Sequence, residues 1–167
     1  MSAVAGPCME KIAIEDADGS EVGDADRRGL SDPLGTEDLA LNYYALEPDQ
    51  AFSGGLHAHL DQEEVFYVQE GTATFETKAE ATAEGERVEV AAGEAIRFAP
   101  GEFQQGRNEG DERVVALALG APKESTEGRV PQPCPECDES DVLAITMTDE
   151  GMGLECPKCG AAIDADV

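Results

Sequence analysis

Between positions 38 and 120 the chain is a succession of short runs rich in β-branched and aromatic residues, each closed by turn residues. Nowhere in this stretch does an apolar pattern of helical period persist. The runs cover residues 39–46, 64–68, 72–77, 87–90, 94–98 and 113–119, with Glu47-Pro48-Asp49, Gly71, Gly93 and Pro100-Gly101 among the punctuation. Short strands at near-regular spacing predict an all-β fold, either a sandwich or a small antiparallel barrel. A small barrel has room inside for side chains and one small ligand, so Phe66, Phe75 and Phe98 are expected to point inward as the apolar floor of a pocket.

The only two histidines, His57 and His59, lie just ahead of the second run. In an extended segment they project to one side, where both can reach one small object, and a metal ion is the obvious candidate. Glu64 shares a strand face with Phe66 and Val68, so a carboxylate could join the two imidazoles at the mouth of an apolar interior.

The series His57-x-His59, four residues, Glu64, six residues, Gly71 resembles the first motif of the cupin family. Residues 93–108 resemble its second motif: Gly93, Gly101 and Asn108 match, the family's proline falls on Ala99 with Pro100 next to it, and its third metal-binding histidine falls on Gln104. The resemblance covers residues 38–120 and implies jelly-roll connectivity. It also implies that His57, His59 and Glu64 are metal ligands, with Gln104 at the fourth ligand position. The chemistry of an amide leaves three roles open for Gln104: a weak ligand, a substrate contact, or a hydrogen-bond partner for a neighbour. Two imidazoles and one carboxylate with open positions suit Fe(II) and can also hold Mn, Ni, Co or Zn. Asp61, Glu63, Tyr67, Arg97 and Gln105 lie nearby and read as surface or packing residues, so no general base stands out.

Residues 121–133 are polar and proline-punctuated, as expected of an extended linker. After it, Cys134-Pro135-Glu136-Cys137 and Cys156-Pro157-Lys158-Cys159 form two CxxC pairs separated by 18 residues, with hairpin-like runs at 142–148 and 152–154 between them. This arrangement resembles a zinc ribbon. Each pair can bend around one ion, and four thiolates complete the tetrahedron that structural Zn prefers; redox-active dithiols or two disulfides are the other uses of such cysteines. The fifth cysteine, Cys8, is given no role. The expected organisation is a flexible arm over 1–36 with a short edge strand at 11–14, a cupin barrel over 37–120, a linker over 121–133 and a zinc-ribbon hairpin module over 134–167.

Acidic residues number 37 against 11 basic ones, a formal charge of −26. A small soluble domain ordinarily carries a net charge of about 2–8 in magnitude. Acidic residues are spread along the whole chain and lysines number only four, a composition similar to that of haloarchaeal proteins. Molar salt shortens the Debye length to about 3 Å, which removes most repulsion between exposed carboxylates. The same charge disfavours a nucleic-acid partner. No apolar run is long enough for a membrane helix, and residues 1–8 lack the regions of a signal peptide, so a cytoplasmic setting is expected. Three functions fit: a metal-dependent oxygenase, isomerase or decarboxylase acting on a small polar metabolite; a non-catalytic cupin that binds or senses a small molecule; or an interaction protein that uses its ribbon. A homodimer through the barrel is compatible with each. The thermal midpoint is expected to rise from dilute buffer to several molar KCl, by more than in a neutral-charge control protein; an unchanged or falling midpoint would remove the halophilic reading.

Overall fold

The computed structural model describes residues 9–20, 25–149 and 151–164; Cys8 lies outside them. Fourteen strands follow in chain order: β1 (Gly19–Ser20), β2 (Asp26–Gly29), β3 (Ala40–Leu46), β4 (Ala58–His59), β5 (Glu63–Glu70), β6 (Thr72–Lys78), β7 (Glu86–Ala91), β8 (Ala95–Phe98), β9 (Phe103–Arg107), β10 (Val114–Ala121), β11 (Gly128–Val130), β12 (Leu143–Thr148), β13 (Gly151–Glu155) and β14 (Ala162–Ile163). Among the described residues one short α-helical turn, α1 (Ser31–Leu34), precedes β3. All pairings are antiparallel, and they form three sheets: β1-β2-β3-β10-β5-β8, β7-β6-β9, and β14-β13-β12-β11-β4. The expected all-β class holds, and the first two sheets face each other around one apolar core. No helix among the described residues is long and apolar enough to cross a membrane.

Two-residue alternation decides which face of each strand is buried. In β5, Phe66 and Val68 are buried while Tyr67 is exposed. Phe66, Phe75 and Phe98 do point inward, and Phe52 joins them: the Phe66–Phe75 ring centroids are 5.0 Å apart and those of Phe52 and Phe75 5.7 Å, with tilted and stacked geometries respectively. Such pairs contribute about 0.5–1.5 kcal/mol each beyond their area burial.

Two glycines have steric reasons. Gly71, the last fixed position of the first motif, turns the chain from β5 to β6 at φ +73°, and a Cβ there would lie 2.5 Å from the Arg113 carbonyl oxygen. Gly106 in β9 lies under the aromatic cluster, where a Cβ would come within 2.5 Å of Phe75 and 2.6 Å of Phe52.

Three segments differ from the sequence reading. Residues 11–14 form no strand; a 3₁₀ turn covers Ile14–Asp16, and the arm instead supplies β2, whose Arg27 and Arg28 pair with Tyr44 and Tyr43 of β3. A strand reading Asp-Arg-Arg-Gly, set between β1 and β3, carries no apolar alternation and so escapes a hydrophobic pattern search. Phe103–Arg107 forms β9 with Gln104 and Gln105 buried, a polar strand inside the barrel. The stretch read as a linker contains β11, which pairs with β4 on one side and β12 on the other.

Gly106→Ala is expected to destabilise the protein by about 1–3 kcal/mol, because the added methyl must displace two packed rings. Denaturant titration in high salt reads this as a lower midpoint, and an unshifted midpoint would show that the rings yield freely.

Candidate functional site

The two histidines and Gln104 are brought together by backbone pairing. His57 and Gln104 form an antiparallel bridge, with reciprocal N–H to O bonds of 3.2 and 2.8 Å, so the two side chains lie opposite each other. His59 follows in β4 on the same side, its ring centroid 5.0 Å from that of His57 and perpendicular to it. Glu64 comes from the start of β5. One nitrogen of each imidazole and one Glu64 oxygen all lie within 4.8 Å of one another.

The hydrogen bonds behind the rings decide which atoms face the site. His57 Nδ1 lies 2.9 Å from the Gly55 carbonyl oxygen, an acceptor only, so Nδ1 carries the proton. His59 Nδ1 lies 3.0 Å from Ser125 Oγ, whose own hydroxyl donates to Asp61 Oδ1 at 2.8 Å. Because the Ser125 proton is committed to Asp61, the hydroxyl oxygen accepts from His59. Both Nε2 atoms are thereby left without a proton, with His59 Nε2 3.9 Å from Glu64 Oε2 and His57 Nε2 3.5 Å from Gln104 Nε2. Metal-binding imidazoles are ordinarily held in this way, by an acceptor on the far nitrogen.

Gln104 is buried, and its Nε2 donates to Glu64 Oε2 at 2.8 Å and lies 3.5 Å from His57 Nε2. With Glu64 ionised, as it would be beside a cation, the carboxylate can only accept, which places the NH₂ group at the inner position. An amide nitrogen has no lone pair for a metal. In this orientation Gln104 steadies Glu64, the third of the roles its chemistry allowed.

Burial pushes the Glu64 carboxyl up to about 7, against the Gln104 hydrogen bond and the Arg27 charge, which favour the ionised form. Burial likewise holds both imidazoles below their usual value, with the Gly55 bond opposing this at His57. Two neutral imidazoles and a carboxyl that is costly to ionise therefore share a partly dry site, and a divalent cation would supply the charge they lack. The donor set fits such an ion. It opens into a cavity of about 430 Å³ whose walls include Phe52, Phe66, Tyr44 and Arg27.

The cysteines form a second constellation. Cys134 and Cys159 Sγ are 3.9 Å apart, Cys137 and Cys156 Sγ 3.7 Å, and all four sulfurs lie within 4.8 Å of one another. A tetrahedron with metal–sulfur bonds of about 2.3 Å has edges of about 3.8 Å, whereas a disulfide needs about 2.05 Å. Backbone N–H groups of Glu136, Lys158 and Cys159 point at Cys134 or Cys156 sulfur. The N–H of Cys159 is the main reason the Cys156 thiol is lowered to about 6.

Residues 42–120 match the family described as the cupin domain. No curated protein sequence matches the chain. A sugar phosphate isomerase from a cupin superfamily of Silicibacter pomeroyi aligns over 93% of this chain and 98% of its own, with 19% identity and a TM-score of 0.66. A putative sugar phosphate isomerase from Acidithiobacillus ferrooxidans aligns over 63% of this chain at 22% identity and a TM-score of 0.53, and this chain covers 62% of it, under two thirds of its length. Bacillus subtilis oxalate decarboxylase, described with Mn(II) centres, aligns over 66% of this chain and 29% of its own at 18% identity and a TM-score of 0.58. At these identities the shared property is the fold.

Asp61 and Ser125 were the residues sequence reasoning passed over. Asp61 read as a surface acid beside the motif, and Ser125 lies 66 positions from His59, where no local pattern connects them. In metal-free protein at pH 6.5 both imidazoles are expected to be mostly neutral, with the proton on Nδ1, because burial lowers their pKa below that pH. Long-range ¹H–¹⁵N NMR reads the tautomer; Ser125→Ala should weaken the preference at His59 and leave His57 unchanged. Mainly charged rings in the parent protein would contradict the assignment.

Proposed function

We propose that His57, His59 and Glu64 hold one divalent metal ion and that the cupin domain uses its open positions to bind, and act on, a small oxygen-bearing metabolite. The observation that carries this reading is the convergence of two Nε2 lone pairs, each held by an acceptor on the far side of its ring, with a half-buried carboxylate at the edge of a cavity. Fe, Mn, Ni, Co and Zn all suit the ligand set. When bound, the ion would supply Lewis-acid polarisation of a ligand oxygen or, if it is redox-active, dioxygen chemistry. The chain's own residues bind and orient: Asp61 and Ser125 fix the His59 ring, Gln104 restrains Glu64, and the phenylalanines limit water on the inner side. The structural neighbours described as sugar phosphate isomerases and as an oxalate decarboxylase support a reaction of the isomerase or decarboxylase kind.

A second reading, a non-catalytic binding or sensing cupin, is favoured by Gln104. The residue at the family's third histidine position donates to Glu64 instead of presenting an imidazole. We assign Cys134, Cys137, Cys156 and Cys159 to a structural zinc ion that closes a ribbon module over residues 134–167. A closed four-thiolate site leaves no position for substrate, which keeps chemistry in the barrel.

Metal analysis of protein purified in high salt should give two equivalents per chain, one of them zinc. The His57→Ala/His59→Ala double variant should lose the barrel equivalent and keep zinc, and Ser125→Ala should bind the barrel metal about 10- to 100-fold more weakly. Retention of both equivalents by the double variant would end the metal reading. If metal binds but no turnover appears across hydroxy acids, dicarboxylates and sugar phosphates, the binder reading takes over.

A further inference from the structure

We propose that Arg27, contributed by the strand β2 ahead of the cupin domain, is the specificity determinant of the cavity, and that it selects a small metabolite carrying a carboxylate or phosphate group. The inference rests on reading this cavity as the ligand site. Cations are scarce in this chain, 11 against 37 acids, and most arginines are committed to acids. Arg28, Arg87, Arg97, Arg113 and Arg129 pair with Asp26, Glu109, Glu63, Glu47 and Glu127 respectively. Arg27 is held differently. Its Nη1 donates to Ser20 Oγ at 3.2 Å and its Nη2 to Asn42 Oδ1 at 3.1 Å, two neutral oxygens that position the guanidinium without cancelling its charge. Its Cζ lies 5.9 Å from the Tyr44 ring centroid, and its Nε is buried without a hydrogen-bond partner, a vacancy shown by no other side-chain atom among the described residues.

Arg27 lines the same cavity as His57, His59 and Glu64. The other cation there, Lys123, is taken by Asp32 at 2.9 Å and by the Thr36 carbonyl at 3.1 Å. The acids in the cavity wall are Glu64, which faces the metal donors, and Glu124, which is exposed. A divalent ion would outweigh Glu64, so the interior would be cationic within a protein whose net charge is −26. A guanidinium with unused donors in a low-dielectric setting is suited to forked recognition of a planar carboxylate or a phosphoryl group. An anion held at Arg27 would leave the remainder of the molecule to reach the metal donors.

The test is calorimetric titration of the metal-loaded protein with malonate and, separately, with inorganic phosphate, at fixed KCl concentration. The parent protein should bind one anion per chain. Arg27→Gln should weaken binding about 10-fold or more, Arg27→Lys should recover part of the loss, and Arg28→Gln should leave binding unchanged. Response to malonate alone identifies a carboxylate ligand, and response to phosphate alone a phosphorylated one. Equal binding by the parent and a folded Arg27→Gln, judged by its melting profile, overturns the proposal, as does absence of binding of either probe to the parent at millimolar concentration. Metal content is measured on the same samples. Normal metal with no Arg27 effect refutes the anion site alone, whereas an Arg27-dependent anion in protein that takes up no barrel metal refutes the metal reading alone.

Discussion

The carboxylate of Asp61 is the contact on which the rest of the site depends. It accepts from Ser125 Oγ at 2.8 Å and from the Thr126 backbone N–H at 2.8 Å, and so ties the segment after β10 to the loop that carries the histidines. The Thr126 N–H is also the main reason its pKa is lowered, so the clasp persists across the neutral range. Around it, Gln62 Nε2 donates to the Pro122 carbonyl at 2.7 Å and the Leu60 N–H to the Glu127 carbonyl at 3.0 Å. Each bond alone is modest, about 1 kcal/mol net. Together they convert a polar stretch into a fixed wall of the cavity and give His59 the acceptor that sets its tautomer.

Desolvation then determines what that geometry can do. In water a glutamate and two histidines near pH 7 would be a solvated anion and two partly charged rings. Here burial favours the neutral form of all three, while Gln104 and Arg27 favour the ionised form of Glu64. The site is thus balanced between proton and cation. Under the proposed reading, the hydrogen bonds that hold the rings and the carboxylate before the ion arrives reduce the reorganisation that binding would otherwise require. The wider protein shows the reverse condition: its exposed carboxylates crowd a surface with few cations to offset them, and only salt or distance can relieve that repulsion.

How much of this could be read in the sequence depended on whether the signal was local. His57, His59, Glu64 and Gly71 lie within one loop and one strand, and their spacing expresses a two-residue period and one tight turn, so both the barrel and the donor set were legible. The same holds for the paired CxxC elements and the hairpin between them. Gln104 was located by motif position, but whether it ligates or donates depends on an amide orientation that only Glu64 and His57 decide. Ser125 and Arg27 were silent because their partners are 66 and 15 positions away, at His59 and Asn42. Strand β9 was hidden for a related reason: buried glutamines look like a loop until their partners are known, and Gly106 looks like a turn until Phe52 and Phe75 are seen above it.

The segment that reads as a spacer also joins the two constellations. Gly128 and Arg129 of β11 pair with His59 and Ala58, while Arg129 and Val130 pair with Ala144 and Leu143 of the β12–β13 hairpin. Val130 packs on the small cluster of Cys134, Leu143 and Cys156. That core is small, so under the proposed zinc assignment the order of the hairpin would depend on the ion held by the four sulfurs. A module ordered in this way supports β12, β12 supports β11, and β11 lies against the strand that carries His59. Loss of order at the cysteines would therefore be felt first at the edge of the barrel where the histidine and its serine are held. The opposite edge, β8 beside β5, keeps its pairing with none of β11–β14 involved. The two sites are accordingly separate in chemistry and continuous in backbone, with a three-residue strand as the connection.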